Sequence, residues 1–204
     1  LISIFNDYSN KSNIINIKKR VLQVIKSFII VNDSKFVDNI SNVDEILKLI
    51  IKNLKIYDFR TELFEICNLL LNFKIFLRHR FKDVVSVLIN IFFVENDNQE
   101  EDVNDKVNTL TQILQILMRL NEQEYLHQIT PVFLRVPIYL NEKLTISNVI
   151  QNKIIDSCFD YLKSIMSSNY FYHFSGNIIR CVIQIKKEFP DKKIKSQDFL
   201  FEIV

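Results

Sequence analysis

A chain with no alanine and a single glycine, Gly176, loses several common routes to a compact fold. Close helix seams need small side chains, so helices built here pack towards the wide end of the 8–10 Å interaxial range. Glycine-rich phosphate loops and nucleophile elbows are excluded for the same reason, and with them the common nucleotide-binding and hydrolase frameworks. The residues used instead are 32 Ile, 21 Asn, 19 Lys and 17 Phe. These are the amino acids of A- and T-rich codons, the signature of an AT-rich protist-like or organelle genome. A lysine or asparagine in such a chain carries little meaning by itself.

What remains informative is spacing. Apolar residues recur every three or four positions almost throughout, the period of one helix face, and hairpin dipeptides such as Asn-Gly are absent. Ile14, Ile17, Val21, Val24, Ile25 and Phe28 trace the core face of a first long helix. Val43, Ile46, Leu47, Ile50, Ile51 and Leu54 trace a second, with Ser41 or Asn42 at its start. Further helices are expected over Asp58–Leu71, from about Phe76 to Val94, and from Asn104 or Asp105 to Leu120. Another runs over Glu122–Leu134, kinked by Pro131 and stopped by Pro137, because proline lacks the helix N–H. Ser147 opens the next, Ser175 another that Pro190 ends, and a last one covers Ser196–Val204. Residues 95–104, polar and acidic, read as a mobile loop.

The expected fold is all-α: antiparallel helical hairpins stacked as a short α-solenoid or irregular bundle, one repeat-like domain over residues 1–204. Similar apolar cassettes occur at Ile46–Ile50, Val84–Leu88 and Ile113–Leu117, with a fainter one at Ile179–Ile183. The first two lie 38 residues apart, Ile46 to Val84, and the next step is shorter. The longest near-apolar run, Val84–Val94, is about half of the ~20 residues that a membrane span needs, so no spanning helix is expected. The sequence opens at Leu1 rather than Met, which fits a fragment or a processed product.

Chemistry-bearing residues are scattered. Cys67, Cys158 and Cys181 lack metal-ligand spacing and sit in apolar helical surroundings, as reduced core residues do. His79, His127 and His173 have no ligand partner one helical turn away. The acidic residues between Glu95 and Asp105 lack the register and central glycine of a calcium loop. No cofactor, metal or small-molecule substrate is expected, and no catalysis. Net charge is +2, so nucleic-acid contact would have to come from local patches. Three exist: Lys18, Lys19 and Arg20; Arg78, Arg80 and Lys82; and Lys186, Lys187, Lys192 and Lys193, with Lys195 beside them. Arg78 and Arg80 stand out because arginine makes bidentate phosphate contacts. Tyr170, Phe171 and Tyr172 head the densest aromatic cluster, a candidate surface for base stacking or protein contact.

Segments Ser41–Ile50, Val107–Asn121 and Ser175–Ile185 look like one hairpin unit, a leucine-rich helix followed by a polar break and a second helix, as at Asn121–Ile129. This unit resembles the heptatricopeptide-type α-hairpin repeats of protist organellar proteins that often end in a RAP domain. HEAT-like repeats share the pattern. The first resemblance, with the codon signature, implies a non-catalytic scaffold or adaptor in a large organellar ribonucleoprotein. That assembly could be a mitochondrial ribosome, with ribosomal RNA and neighbouring proteins as partners. HEAT-like repeats imply a protein-only scaffold of the cytosol or nucleus.

Overall fold

A computed structural model describes residues 12–31, 40–73, 81–94, 102–120, 124–143 and 146–203. All regular structure among them is helical. The chain divides into two compact units, Leu1–Asp97 and Asn98–Val204.

The first unit holds α1 (Ser12–Val31), α2 (Ile40–Asn53), α3 (Arg60–Leu70) and α4 (Lys82–Val94). Single 3-10 turns, Tyr57–Phe59 and Leu71–Phe73, flank α3. Its core is aliphatic and aromatic: Leu22, Ile29, Ile50, Leu54, Leu63, Phe64 and Leu88 are essentially inaccessible. Two of its described buried side chains are polar: Asn53, whose Nδ2 donates to the Leu49 carbonyl at 2.8 Å, and Arg60, whose Nε and Nη2 donate to the carbonyls of Leu54 and Lys55, each at 3.4 Å. Leu54 and Lys55 follow directly on the C-terminal end of α2, where backbone carbonyls lack helical partners.

The second unit holds α5 (Val103–Arg119), α6 (Leu126–Lys143), α7 (Asn148–Ile165), α8 (Phe171–Glu188) and α9 (Lys193–Ile203). A 3-10 turn, Pro190–Lys192, joins the last two. Asp102 caps α5, accepting from the Asn104 amide at 3.1 Å. Between α6 and α7 the core contains Phe133 stacked on Tyr161, ring centroids 3.9 Å apart, and a buried hydrogen bond of 2.8 Å between the Thr130 and Tyr161 hydroxyls.

Packing of a helix against its second neighbour recurs in both units. In the first unit α1 lies on α3 and α2 on α4; in the second α5 lies on α7 and α6 on α8. Polar pairs fix the direction. Lys19 meets Glu62 and Lys26 meets Glu65, so residue number rises together along α1 and α3 and the two run parallel. Along α7, against α9 and the turn that leads into it, the pairs are Asn152–Asp191, Asp156–Lys195 and Lys163–Glu202, again parallel. Each of these three, and Lys26–Glu65, spans 39 residues. The helix between returns the chain, which is the geometry of stacked antiparallel hairpins. The Ile46 and Val84 cassettes sit on α2 and α4, which pack on one another, so their 38-residue spacing belongs to the same register.

Several boundaries differ from the sequence expectation. The core face of α1 is Val21, Leu22, Ile25 and Ile29, rotated from the expected stripe, and Ile17 and Val24 are exposed. Ser41 and Asn42 lie inside α2. Ser147 holds the N-cap position of α7 but caps through its backbone carbonyl, which accepts from Ile150 and Gln151; its side chain makes no cap bond. α6 continues through Pro137 to Lys143. An internal proline costs about 3 kcal/mol, and continuing past it buries Leu140, worth about 1.5–3 kcal/mol, and half-buries Ile138 and Tyr139 as well. Burial therefore outweighs the lost hydrogen bond. α8 begins at Phe171, so Ser175 and Gly176 lie within it. The expected helical start near Phe76 and the residue 95–101 part of the acidic stretch lie outside the described residues.

Candidate functional site

The first basic patch lies on α1. Lys18 and Lys19 are half-buried and Arg20 is exposed. Lys19 Nζ lies 3.8 Å from Glu62 of α3, so part of this patch serves the helix seam. Arg78 and Arg80 of the second patch lie outside the described residues. Lys82 is the exposed first residue of α4, directly after the buried Phe81.

The third patch spans the α8–α9 junction. Lys186 and Lys187 fall in the last turn of α8, where the helix dipole favours cations. Lys187 and Lys193 are exposed. Lys192 turns inwards: its ammonium donates to Asp156 Oδ2 of α7 at 2.6 Å, and Lys195 donates to Oδ1 at 2.7 Å. Burial alone would raise the Asp156 carboxyl, but the hydrogen bonds and charges of the two lysines hold it below the usual aspartate value. Lys195 also sits 5.2 Å over the Phe159 ring. The junction therefore divides into a structural clasp, Lys192 and Lys195 on Asp156, and an outward pair, Lys187 and Lys193.

The aromatic cluster is sorted by the helix that contains it. With α8 starting at Phe171, successive side chains turn by about 100° and cannot share a face. Phe171 is buried, Tyr170 half-buried, and Tyr172 is 80% exposed. Tyr172 is the ring of the three that is open to a partner.

Other reactive groups are enclosed. Cys67, Cys158 and Cys181 are buried free thiols. Burial raises the Cys158 thiol well above its ordinary value and pushes Cys181 up to about 12. Burial likewise raises the Tyr161 phenol, against the opposing bond to Thr130. His127 and His173 are exposed on different helices. Among the described residues no three His, Cys, Asp or Glu side chains gather to hold a metal ion, and no helix is long and apolar enough to cross a membrane.

Among the described residues the surface presents exposed cations at Arg20, Lys82, Lys187 and Lys193, the open ring of Tyr172, and apolar side chains on α1 and α9. The sequence reading missed the last group. Ile194 and Phe201 on α9 are exposed, seven residues apart and thus on one face. That spacing was available as a signal, but it looks identical to a core stripe until the buried face, Ser196 and Phe199, is known. No family model, curated protein or solved structure matches the chain.

Proposed function

We propose that this chain is a non-catalytic helical-repeat scaffold within a large organellar ribonucleoprotein, with a mitochondrial ribosome as the best-fitting setting. The observation that carries the reading is the repeated parallel packing of second-neighbour helices in both units. Such stacks hold long helix faces open and rigid, a form suited to binding extended partners rather than to enclosing a substrate. The exposure of the cations Arg20, Lys82, Lys187 and Lys193 supports contact with phosphates, and that of Tyr172 supports stacking on a base or a partner side chain. The organellar setting draws its support from the codon signature and the hairpin resemblance.

A protein-only scaffold is the second reading, and one observation favours it: Lys19 and Lys192, two of the expected phosphate ligands, are engaged in ion pairs between helices. Arg78→Glu combined with Arg80→Glu separates the two. Under the ribonucleoprotein reading, RNA affinity falls and the slope of log K against log salt flattens by about 0.7 for each phosphate of single-stranded RNA that is no longer neutralised. Retention of every partner with an unchanged salt slope, in that variant and in one also carrying Lys187→Glu and Lys193→Glu, establishes the protein-only scaffold instead.

A further inference from the structure

The first and last of the described helices, α1 and α9, each expose an apolar stripe interrupted by one charge, and the two stripes are complementary. On α1 the stripe is Ile17, Arg20 and Val24, continued by Val31; Ile17 is 42% and Val24 50% exposed. At about 100° per residue these side chains fall within about 60° of one another. They lie on the far side of the helix from Lys19 and Lys26, the residues that meet α3. On α9 the stripe is Ile194, Asp198 and Phe201, opposite the buried Ser196 and Phe199. Ile194 is 74% and Phe201 81% exposed. Stacked helical repeats need polar outer faces at their ends, and these two helices do not have them.

We infer that α9 of one copy docks on α1 of the next, joining copies of this chain head to tail. Charge selects this pairing over the like-with-like ones. α1 contains no acidic residue, so two α1 stripes would set Arg20 against Arg20. Two α9 stripes would set Asp198 against Asp198, with Glu202 close by. Only the mixed pairing sets Asp198 against Arg20. Spacing agrees: Ile17 and Val24 stand three residues before and four after Arg20, and Ile194 and Phe201 stand four before and three after Asp198. With the charges opposed, the apolar pairs coincide to within one residue's rise in either direction of the helices. The joint repeats the mode seen inside each unit, where an apolar helix seam carries a charge pair at its edge. Because the two surfaces differ, the interface is heterologous and leaves each copy with a second surface for a further copy, giving a closed ring or an open row.

Sedimentation velocity on the full, nuclease-treated chain across a concentration series tests this interface without RNA. The native chain is expected to associate with rising concentration. Arg20→Asp alone and Asp198→Arg alone are each expected to weaken association about tenfold, and the double reversal to restore it. Phe201→Ser is expected to abolish it. All three substituted positions are exposed, and unchanged helical circular dichroism verifies the fold. A native chain that stays monomeric at every concentration overturns the inference. Association that ignores both reversals, or single reversals that the double variant does not repair, overturns it equally.

Discussion

Between α1 and α3 the register is marked by Lys19–Glu62 and Lys26–Glu65, pairs at the edge of an apolar seam. Between α7 and α9 with the turn that leads into it, one carboxylate, Asp156, is gripped by two lysines, with Asn152–Asp191 and Lys163–Glu202 on either side. The second unit also carries a polar side-chain pair in its core, Thr130 with Tyr161, while the first unit's buried polar side chains, Asn53 and Arg60, bond backbone carbonyls around the end of α2. Exposed ion pairs contribute only about 0–1 kcal/mol, so the first unit's stability must come from its apolar core, with charges trimming the register. In the second unit a slipped register would strand a buried hydroxyl, costing about 1–3 kcal/mol. The same packing is thus held by shape in one unit and by shape plus obligatory polar matching in the other.

Removing the stacked ring is the most damaging test of that difference. Phe133→Ala is expected to lower stability by about 3–5 kcal/mol in denaturant unfolding followed through the second unit. Tyr161→Phe is expected to cost about 1–3 kcal/mol, because Thr130 is left buried without its partner, and adding Thr130→Val should recover part of the loss. If the single and double variants are equally stable, the polar match does not set the second unit apart.

The glycine supplies a change of opposite sign. Gly176 lies inside α8, exposed, with nothing within 4 Å of where a Cβ would stand. Gly176→Ala should therefore stabilise the second unit by about 0.5–1 kcal/mol through helix propensity alone.

The Asp156 clasp gives a pH signature. The carboxyl is lowered in the folded chain, so its contribution is fully present above the ordinary aspartate value and is lost as pH falls through the lowered one. Acid titration of the native chain should show this loss below about pH 4, and Asp156→Asn should flatten the curve in that window. The smallest effect belongs to the first unit: Lys26→Met should change stability by less than about 1 kcal/mol and lose even that in high salt.

Local structure was largely legible before the fold was known. The cores of α3 and α5 follow the expected periodicity, and Asp102 caps α5 within two residues of the expected start. The all-α class follows from the same period. Rules of local chemistry failed where tertiary burial outweighed them, at Pro137 inside α6 and at the aromatic start of α8. The face of α1 was misjudged because apolar residues occupy more than one side of it, and spacing alone does not choose which side meets α3. The basic patches were visible as clusters, but nothing in them distinguishes Lys192, turned onto Asp156, from Lys193, turned to water. In a chain enriched in lysine by its codons, only long-range pairing tells a structural cation from an available one.

The most direct test of the scaffold reading is gentle isolation of the native protein and sedimentation with and without RNase. The account predicts migration with a large particle that RNase dismantles. A light species carrying neither RNA nor protein partners, with turnover in a broad hydrolase screen, would contradict it.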